Sequence, residues 1–527
     1  MKEDMSKSKN YILTVLSILL FSPFWGVQIA MAQPVVHPTI GTKAASTNGD
    51  IKITLVGKRQ NYGGTSDTRD TYINSPKSAN VHPSNKKYYV NSLEGGTTVI
   101  FEMGTNRRLK VISHKLDSSM SHLWGTPSEL YKFTHYPKNN TFMGKPVEST
   151  FSHDGRYLWV PYYRRSYDIN AQDPSALAVI DTETDEIVRL METGPLPKMI
   201  TTSNNGKYVA ISHWGNNTVG LINIESADPM KWYHSDLLVV DHILPLNFSK
   251  TTSVDRDSGS GYALRGTVFT PDDRYLLVGC MGSGGGIAVI DMQTKTYLGR
   301  ILGMMSNVRH LIIIKDYLYL SINSGGYVQR IKLDALIEAA KNMNQKTATL
   351  KGWENCKVDI GARTIEASPS GRYIFVACNN ASKLYVIDTN QMKPIAEIDV
   401  DSYPVGLDVS KDGRYVIVTS QGRKAKDKEN DSRGGNAVNI YEIEYTEKEY
   451  TEPEGTNPLS TTENDNAACT SDSLSTIGNK FSKGNILSIA KDFYSSYSWP
   501  INIGVGVLFF AVCIWLLRRR KSDKYKK

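Results

Sequence analysis

Short apolar runs, separated by turns rich in Asp, Gly, Ser and Asn, recur through the middle of this 527-residue chain. In the last clear copy of the pattern, the alternating run Pro404–Val409 is followed by a Ser-Lys-Asp-Gly turn and by a β-rich run at residues 415–419. After a loop, residues 437–443 form another such run. Apolar runs of this kind, bounded by Asp-Gly turns, predict antiparallel β-strands. The middle of the chain is therefore expected to be all-β.

The combination of turn and strand repeats along the chain, as Ser-His-Asp-Gly-Arg-Tyr-Leu-Trp-Val at 152–160 and as Ser-Lys-Asp-Gly-Arg-Tyr-Val-Ile-Val at 410–418. Three other clear copies occupy residues 203–211, 270–278 and 368–376, and two weaker copies occupy residues 82–90 and 314–320. The unit that starts at Pro369 continues with predicted strands at 384–389 and 394–398, which gives four strands per unit. Seven such units predict a seven-bladed β-propeller of four-stranded antiparallel blades.

The two ends of the repeat array predict how the ring closes. The last unit has no clear fourth strand, whereas the strand-like run Ile51–Val56 stands unpaired before the first unit. We expect this N-terminal strand to complete the last blade and so to join the two ends of the ring, because closure removes exposed strand edges.

A second shared element, Val-Ile-Asp-Thr, stands at residues 179–182 and 386–389. Together with the repeated turn and strand, it resembles the YVTN-type β-propeller repeat family, in which Ser-Pro-Asp-Gly precedes Tyr-Val-Thr-Asn and Val-Ile-Asp-Thr follows. Val418-Thr419-Ser420 comes nearest to the tetrapeptide that names the family, and the resemblance covers about residues 50–445. It implies a propeller fold but no particular activity, because the family is a scaffold with diverse roles.

The ends of the chain predict export and a membrane anchor. Lys7 and Lys9 precede an apolar stretch, and Ala30-Met31-Ala32 has the pattern of a signal-peptide cleavage site, with an uncleaved signal anchor as the alternative. The uncharged run 495–517 is long enough to span a bilayer, and the basic residues after it belong in the cytoplasm by the positive-inside rule. The predicted organisation is a signal peptide (1–32), a seven-bladed propeller (33–445), a polar stalk (446–494), a C-terminal transmembrane helix (495–517) and a basic cytoplasmic tail (518–527). This predicts a single-pass protein of a bacterial cell envelope whose propeller lies outside the cytoplasm.

The predicted cytoplasmic tail accounts for most of the net positive charge of the chain. The formal net charge is +8, but residues 518–527 alone contain seven basic residues and one acid. The exported part is therefore close to neutral, and the composition does not favour a nucleic-acid partner. The five cysteines include no Cys-x-x-Cys pair, so we expect neither a disulfide framework nor a structural zinc.

One position of the repeat is basic in four successive units and apolar in two others. Counting five residues back from the start of the turn reaches Val147, Lys198, Arg265, Arg309 (with a shortened turn), Arg363 and Val405. In antiparallel blades, the start of the first strand lies on the face that carries the connections between blades. Long loops are expected on the same face at residues 113–145, 162–174, 245–263 and 421–435. Four cations that converge at the mouth of a central channel predict the binding of a carboxylate or phosphate.

Other candidate residues on or near this face are His213, Trp214 and His310 as ligand contacts, and Glu148, Glu366 and Asp408 as acid/base groups or ion-pair partners. Three functions follow as alternatives. The favoured one is a binding protein that displays its loop-rich face to an anionic small molecule, an envelope protein or a glycan. The second is a lactonase- or lyase-type enzyme whose acidic substrate is held by the four cations. The third is a cofactor carrier in which His213 or His310 is the axial ligand of a haem-like group; histidine spacing predicts no metal site.

Overall fold

The repeats fold into a closed ring of blades. In the computed structural model, the described residues are 35–61, 68–131, 141–165, 173–245, 255–256, 258–343, 346–422 and 435–446. These residues form seven β-sheets built on four-stranded antiparallel units, which is the all-β seven-bladed propeller that the repeat predicts. The chain divides into two compact units, residues 1–452 and 453–527, and the propeller belongs to the first.

The predicted segments at both ends of the chain fall outside this description. The signal peptide at 1–32, the stalk after residue 446, the transmembrane helix at 495–517 and the tail at 518–527 all lie beyond the described residues. Within the described ranges, no helix combines the length and the apolar character that a membrane span needs.

The strands are numbered in chain order. Two strands precede the first blade: β1 (Lys43–Ala45) and β2 (Ile51–Gln60). Blade 1 contains β3 (Pro76–Val81), β4 (Lys87–Ser92), β5 (Thr97–Glu102) and β6 (Arg108–Ser113). Blade 2 contains β7 (Lys115–Asp117), β8 (Thr141–Pro146), β9 (Thr150–Ser152), β10 (Tyr157–Arg165), β11 (Ser175–Asp181) and β12 (Glu186–Thr193). Blade 3 contains β13 (Pro197–Thr202), β14 (Tyr208–His213), β15 (Thr218–Asn223) and β16 (Tyr233–Val239).

The second half of the ring follows the same scheme. Blade 4 contains β17 (Leu264–Phe269), β18 (Tyr275–Cys280), β19 (Ile287–Asp291) and β20 (Thr296–Leu302). Blade 5 contains β21 (Val308–Ile314), β22 (Tyr317–Ile322), β23 (Tyr327–Lys332) and, after helix α1 (Leu333–Lys341) and β24 (Lys346–Thr349), β25 (Glu354–Lys357). Blade 6 contains β26 (Ala362–Ala367), β27 (Tyr373–Cys378), β28 (Lys383–Asp388) and β29 (Lys393–Asp399), and blade 7 contains β30 (Pro404–Val409), β31 (Tyr415–Ser420) and β32 (Ala437–Tyr445). Two short 3-10 helices span Ser118–Leu123 and Pro229–Lys231.

The repeated turn is held by the side chains that make it recognisable in the sequence. In blade 7, Ser410 Oγ donates to Asp412 Oδ1 at 2.5 Å and accepts from the backbone N–H of Tyr415 at 2.8 Å. Asp412 Oδ1 also accepts from the backbone N–H of Arg414 at 3.0 Å. Gly413 takes a left-handed φ of 73°, which glycine adopts without strain. The Ser-x-Asp-Gly-x-Tyr pattern therefore encodes the tight connection between the first two strands of a blade.

The N-terminal strand closes the ring, as the sequence predicts. β2 runs antiparallel to β32 and becomes the fourth strand of blade 7, and β1 pairs with β2 outside it. Ile51, Ile53 and Leu55 are fully buried in the core between blades 6 and 7. Burying three aliphatic side chains contributes about 1.5–3 kcal/mol each. Closure is therefore driven mainly by apolar contacts.

A buried ion cluster adds to this closure. Asp401, just before β30, is completely buried and accepts from Asn439 Nδ2 of β32 at 2.8 Å. Its carboxylate lies 2.8 Å from the Nζ of Lys58 on β2 and 2.6 Å from the Nδ1 of His37. We call Asp401, Lys58, His37 and Asn439 the closure cluster. It ties the N-terminal segment to the last blade.

The core lies between blades, so the strands are apolar on both faces. Every residue of β18 and of β27 is buried, including Cys280 and Cys378 at their ends. Trp159 of blade 2 stacks on Trp232 of blade 3 with ring centroids 5.0 Å apart. This two-sided burial explains why the second and third strands appear in the sequence as continuous apolar runs.

Two insertions modify the regular blades. In blade 5, helix α1 and β24 are inserted between the third strand, β23, and the fourth strand, β25. β24 pairs in parallel with β20 of blade 4. Leu336 and Ala340 bury the apolar side of this helix against the core between blades 4 and 5. In blade 2, β7 and β8 form a hairpin that continues the sheet beyond β10. The sequence analysis predicts neither insertion as regular structure.

Candidate functional site

The first strand of each blade lines the centre of the ring. First strands of neighbouring blades contact each other, as β13 does with β17 and β26 with β30. Within each blade, the start of the first strand shares one end of the sheet with the connections to the next blade. In blade 3, for example, Pro197 pairs with His213 and Thr218 pairs with Val239. We call this end of the ring the loop face.

The basic position of the repeat is a β-bulge. In β13 the pairing register shifts between Pro197 and Met199, so Lys198 has no opposite residue on β14. Blades 1, 4, 5, 6 and 7 show the same shift near the start of the first strand. A bulge bends the strand and re-aims the side chain of the extra residue. The residues at these bulge positions are Lys77, Lys198, Arg265, Arg309, Arg363 and Val405.

The preceding blade holds the backbone of several bulge positions. The bonds run from Ser212 Oγ to Arg265 O (3.2 Å), from Ser321 Oγ to Arg363 O (2.7 Å) and from Thr364 Oγ1 to Val405 O (2.8 Å). A buried carbonyl left out of the strand ladder needs such a donor, because an unpaired polar group is costly. The bulge is thus fixed through its main chain. In blade 6 the side chain is held as well, because Arg363 Nε donates to Val405 O at 3.2 Å.

Five of the six bulge positions in the described strands carry a cation, and we call Lys77, Lys198, Arg265, Arg309 and Arg363 the basic ring. Lys198, Arg265, Arg309 and Arg363 are the four residues singled out by the sequence, and the structure brings them to equivalent positions on blades 3 to 6. Lys77 in blade 1 was missed. It lies five residues before His82, which replaces the Ser or Thr that begins the turn in other units. Counting from the turn position in that weaker copy would have found it.

The members of the basic ring act on each other electrostatically. Burial first, and then the positive charge of Arg363, hold the pKa of the Lys77 ammonium well below its usual range. The charges of Arg265 and Arg309 act in the same direction. Cations that lower the pKa of a buried lysine lie near it, since such effects decline steeply with distance. The ring is therefore a converging cluster and not five separate surface cations.

Glu148 is the carboxylate beside this cluster. Its Oε1 lies 3.7 Å from Lys77 Nζ, and both side chains are mostly buried, at 15% and 9% exposure. Its negative charge also acts on His310, where it raises a pKa that burial lowers. Glu148 is thus placed as an ion-pair partner of one ring cation, and it supplies the carboxylate near the cations that the enzyme alternative requires.

Lys198 lies between two aromatic side chains. Its Nζ is 3.6 Å from the ring centroid of Tyr163 and 4.9 Å from that of Trp214. The guanidinium carbon of Arg265 lies over the same indole, 5.9 Å from its centroid. Trp214, predicted as a ligand contact, therefore borders the basic ring at blades 3 and 4. Its indole nitrogen is buried and makes no hydrogen bond to any residue that the structure describes.

Blades 4 and 5 bring their bulges unusually close to one another. Gly266 follows Arg265 in the chain, and a Cβ atom there would lie 2.8 Å from Leu311 N and 2.9 Å from His310 Cα. No side chain fits against a backbone at that distance, so the glycine permits the close approach. On the neighbouring bulge, Arg309 Nη1 lies 3.2 Å from Met281 Sδ. His310 Nδ1 is 2.9 Å from the carbonyl oxygen of Ile365.

The imidazole of His213 is buried, and both of its ring nitrogens contact other groups of the protein. It is fully buried, its Nε2 accepts from the backbone N–H of Gly194 at 3.1 Å, and its Nδ1 lies 2.8 Å from Thr218 Oγ1. Burial lowers its pKa to about 3. Both ring nitrogens are engaged within the protein, so the geometry offers neither to a ligand nor to a haem iron. The sequence could not reveal this, because the buried environment includes Tyr131 from a distant insertion, whose ring centroid lies 5.8 Å away.

Glu366 and Asp408 form a separate acidic pair on the first strands of blades 6 and 7. Each lies three residues beyond a bulge position, about 10 Å further along its strand. Burial, then the neighbouring charge of Asp408, raise the pKa of Glu366 to about 7. Burial raises the pKa of Asp408 to about 6, although its Oδ2 accepts from the backbone N–H of Val81 at 2.6 Å. The cation that acts on both is Lys411, in the turn at the opposite end of the blade.

The long loops expected on the loop face are described only in part. Residues 132–140, 166–172, 246–254, 257 and 423–434 lie outside the described residues. Within the described parts, the first insertion contains the β7–β8 hairpin, and the second begins as a continuation of β10 to Arg165. Tyr163, whose ring lies against Lys198 Nζ, belongs to this extended end of β10.

Comparison with known proteins finds a distant relative that matches part of the chain. No protein-family model matches the chain. Over 207 residues it is 25% identical to Antigen Lp49 of Leptospira interrogans serogroup Icterohaemorrhagiae serovar copenhageni, a match covering 36% of this chain and 41% of that protein. The chain thus spans about two fifths of the length of this relative.

Two solved structures are similar at low sequence identity. Hydrazine synthase of Kuenenia stuttgartiensis matches with a TM-score of 0.46 and 12% identity, covering 66% of this chain and 92% of that chain. The β-propeller domain of Cps50 (Swd1) of Myceliophteria thermophila matches with a TM-score of 0.47 and 12% identity, covering 70% and 96%.

The chemistry of the site follows from its charges. Arg265 and Arg363 are almost completely buried, at 6% and 5% exposure, so their guanidinium groups carry a desolvation cost. An anion in the channel mouth would offset both this cost and the repulsion among the five cations. Guanidinium groups bind carboxylate and phosphate through paired hydrogen bonds, which sets the class of anion that fits. A propeller with such a surface suits a binding or scaffold role.

Proposed function

We propose that this protein is a YVTN-type propeller that binds an anionic ligand, a carboxylate or phosphate compound, at the basic ring on its loop face. The observation that carries the proposal is the recurrence of a cation at five equivalent bulge positions. The fold does not require these charges, because blade 7 accommodates Val405 at the same position with the same register shift.

The electrostatics of Lys77 and Lys198 support the proposal. In both, burial and neighbouring cations hold the pKa of the ammonium well below its usual value. A cluster of cations that destabilise one another gains more from a bound anion than an isolated surface cation gains, because water screens the latter. Glu148 balances the charge of one member of the ring, Lys77, whose Nζ lies 3.7 Å from its Oε1.

The test is a binding screen with the full-length chain. Thermal shift and calorimetry at low and high salt would compare organic acids, phosphate and acidic glycans. An anion that binds the ring should raise the melting temperature, and its affinity should fall as salt rises. Arg265→Ala should weaken this binding about tenfold or more, since a charge-assisted hydrogen bond contributes about 1.5–3 kcal/mol.

Arg107→Ala provides the matched control. Arg107 pairs with Glu102 on the outside of blade 1 and is 66% exposed, so its removal takes away one arginine charge far from the channel. Its loss should leave the affinity for the anion within about twofold, which corresponds to about 0.4 kcal/mol. If Arg265→Ala and Arg107→Ala bind the anion equally well, or if no anion stabilises the wild-type chain, the proposal is wrong.

We also propose that the propeller is displayed outside the cytoplasm of a bacterial cell and anchored through residues 495–517. The signal-like N-terminus, the polar residues 446–494 and the basic residues 518–527 support this. Protease treatment of intact cells, followed by alkaline extraction of their membranes, tests it with the natural chain. Release of the chain by alkali, or protection of the propeller from external protease until the cells are lysed, would contradict it. A partner in the envelope, protein or glycan, would then meet the loop face.

A further inference from the structure

Aromatic and cationic side chains alternate beside the basic ring. The Nζ of Lys198 lies 3.6 Å from the ring centroid of Tyr163 and 4.9 Å from that of Trp214. The guanidinium carbon of Arg164 lies 5.1 Å from the Tyr163 centroid, and that of Arg265 lies 5.9 Å from the Trp214 centroid. Each of the two rings therefore has two cations against it. We call these five residues the cation–aromatic ladder.

The ladder joins residues from three blades. Tyr163 and Arg164 belong to the extended end of β10 in blade 2. Lys198 and Arg265 occupy the bulge positions of β13 and β17 in blades 3 and 4, and Trp214 directly follows β14 of blade 3. The contacts therefore depend on how three blades pack together, and they are not a local feature of one turn.

The ladder opposes the cost of placing like charges side by side. Burial, followed by the charge of Arg265 and three further cations, holds the pKa of Lys198 well below its usual range. An aromatic face attracts a cation, and the attraction grows where water is excluded. The rings of Tyr163 and Trp214 therefore stabilise the charged form of Lys198 against burial and repulsion.

Trp214 makes this contact with its π-system. Its indole N–H is buried and donates no hydrogen bond to any residue that the structure describes. The contacts that the indole makes with Lys198 and Arg265 are those of an aromatic face with a cation. A phenyl ring at this position would keep part of the interaction, whereas an aliphatic side chain would keep none of it.

We propose that Tyr163 and Trp214 are positioning residues of the anion site, whose rings hold Lys198 and Arg265 charged and in place before the anion binds. The inference rests on the proposed function and states how the site is assembled. A cation that is already ordered loses less conformational freedom when a ligand arrives, so its preorganisation raises the affinity. The anion contacts the cations, and the two rings act through them.

The experiment measures the affinity of the full-length chain for inorganic phosphate and for citrate by calorimetry. Trp214→Leu and Tyr163→Leu should weaken binding about fivefold or more, because each removes a cation–π contact of a partly buried cation. Trp214→Phe and Tyr163→Phe keep an aromatic ring and should stay within about threefold of the wild type.

Tyr317→Leu is the matched control. The guanidinium carbon of Arg330 lies 4.6 Å from the centroid of Tyr317, so this variant also removes a cation–π contact. Tyr317 begins β22 and pairs with Ile314 across the tight turn, at the end of blade 5 opposite the loop face. Its replacement should leave both affinities within about twofold of the wild type.

Fluorinated tryptophan tests the electronic role of the indole without truncating it. Fluorine withdraws electron density from the ring and nearly preserves its shape, so it weakens the attraction to a cation. The affinity should fall stepwise from tryptophan to fluorotryptophan to difluorotryptophan. In Trp214→Phe the same replacement should change nothing, which shows that the other tryptophans are not responsible. A flat series in the wild-type chain would overturn the proposal.

The variants also separate this inference from the proposed function. If Arg265→Ala weakens binding about tenfold while Trp214→Leu and Tyr163→Leu bind as tightly as the wild type, the anion site stands and the positioning role is refuted. If the wild-type chain binds neither phosphate nor citrate, or binds them no better than Arg265→Ala does, the anion site itself is refuted.

Discussion

Replacing Asp401 by Asn should loosen the closure of the ring without creating a cavity, because the two side chains have nearly the same shape. Asp401 is completely buried, and the ammonium of Lys58 beside it is 4% exposed. Once the carboxylate charge is gone, Lys58 is left with neutral oxygen acceptors such as the carbonyl of Pro38, 2.5 Å from its Nζ. Its charge is then buried without compensation.

The magnitude follows from this stranded cation. Removing one partner of a buried pair costs about 3–5 kcal/mol. We therefore expect Asp401→Asn to lower the free energy of unfolding by about 3–5 kcal/mol. The double variant Lys58→Met with Asp401→Asn should regain part of this loss, because it contains no buried charge at that point.

Urea denaturation of the full-length chain, followed by tryptophan fluorescence, measures this change. Glu444→Gln is the matched control, because it is the same acid-to-amide change across the same pair of strands. The Glu444 carboxylate is 63% exposed and lies 3.9 Å from Lys52 Nζ, so its loss should change stability by no more than about 0.5 kcal/mol. If Asp401→Asn and Glu444→Gln shift the midpoint equally, the closure cluster does not stabilise the ring as argued.

Two further predictions concern the channel. Glu366→Gln should stabilise the fold at pH 8 and lose this advantage towards pH 4. The native state keeps the Glu366 proton up to about pH 7, whereas an unfolded chain releases it near its ordinary pKa, so wild-type stability falls as pH rises between the two values. Urea midpoints at pH 5 and pH 8 measure this, and a larger gain at pH 5 would contradict it. Gly266→Ala should cost about 1–3 kcal/mol, because the new Cβ meets the backbone of blade 5 at 2.8 Å. It should also weaken anion binding through the shifted bulges of Arg265 and Arg309, and unchanged affinity by calorimetry would contradict that link.

Most of the fold could be predicted because each blade repeats its own turn chemistry. The hydrogen bonds of Ser410 and Asp412 depend on residues within one short segment, so the sequence reveals them directly. Ring closure was predictable from an unpaired strand at one end and a missing one at the other. Helix α1 was not predicted, because it interrupts the most degenerate repeat and its apolar face is buried only by residues from blades 4 and 5.

The candidate site was predictable in position but not in geometry. Counting back from the repeated turn identified four cations but missed Lys77, because His82 replaces the Ser or Thr that begins the turn in other units. The β-bulge could not be predicted, because the register of a strand depends on its partner. The burial of His213 was equally hidden, and so was the placement of Glu366 and Asp408 as a pair away from the cations. Each of these depends on which residues of distant segments meet.

The residue at each bulge position can be exchanged without changing the strand pairing of its blade. A residue at that position has no opposite residue in its sheet, and a neighbouring blade holds the carbonyl where Arg363 and Val405 stand. Substitution there can alter what the ring attracts while the blades continue to pair as before. Evolution could therefore exchange the channel-facing groups one blade at a time, and a designer could do the same. Val405→Arg would extend the charged arc by one blade, with the ladder between β30 and β31 left intact.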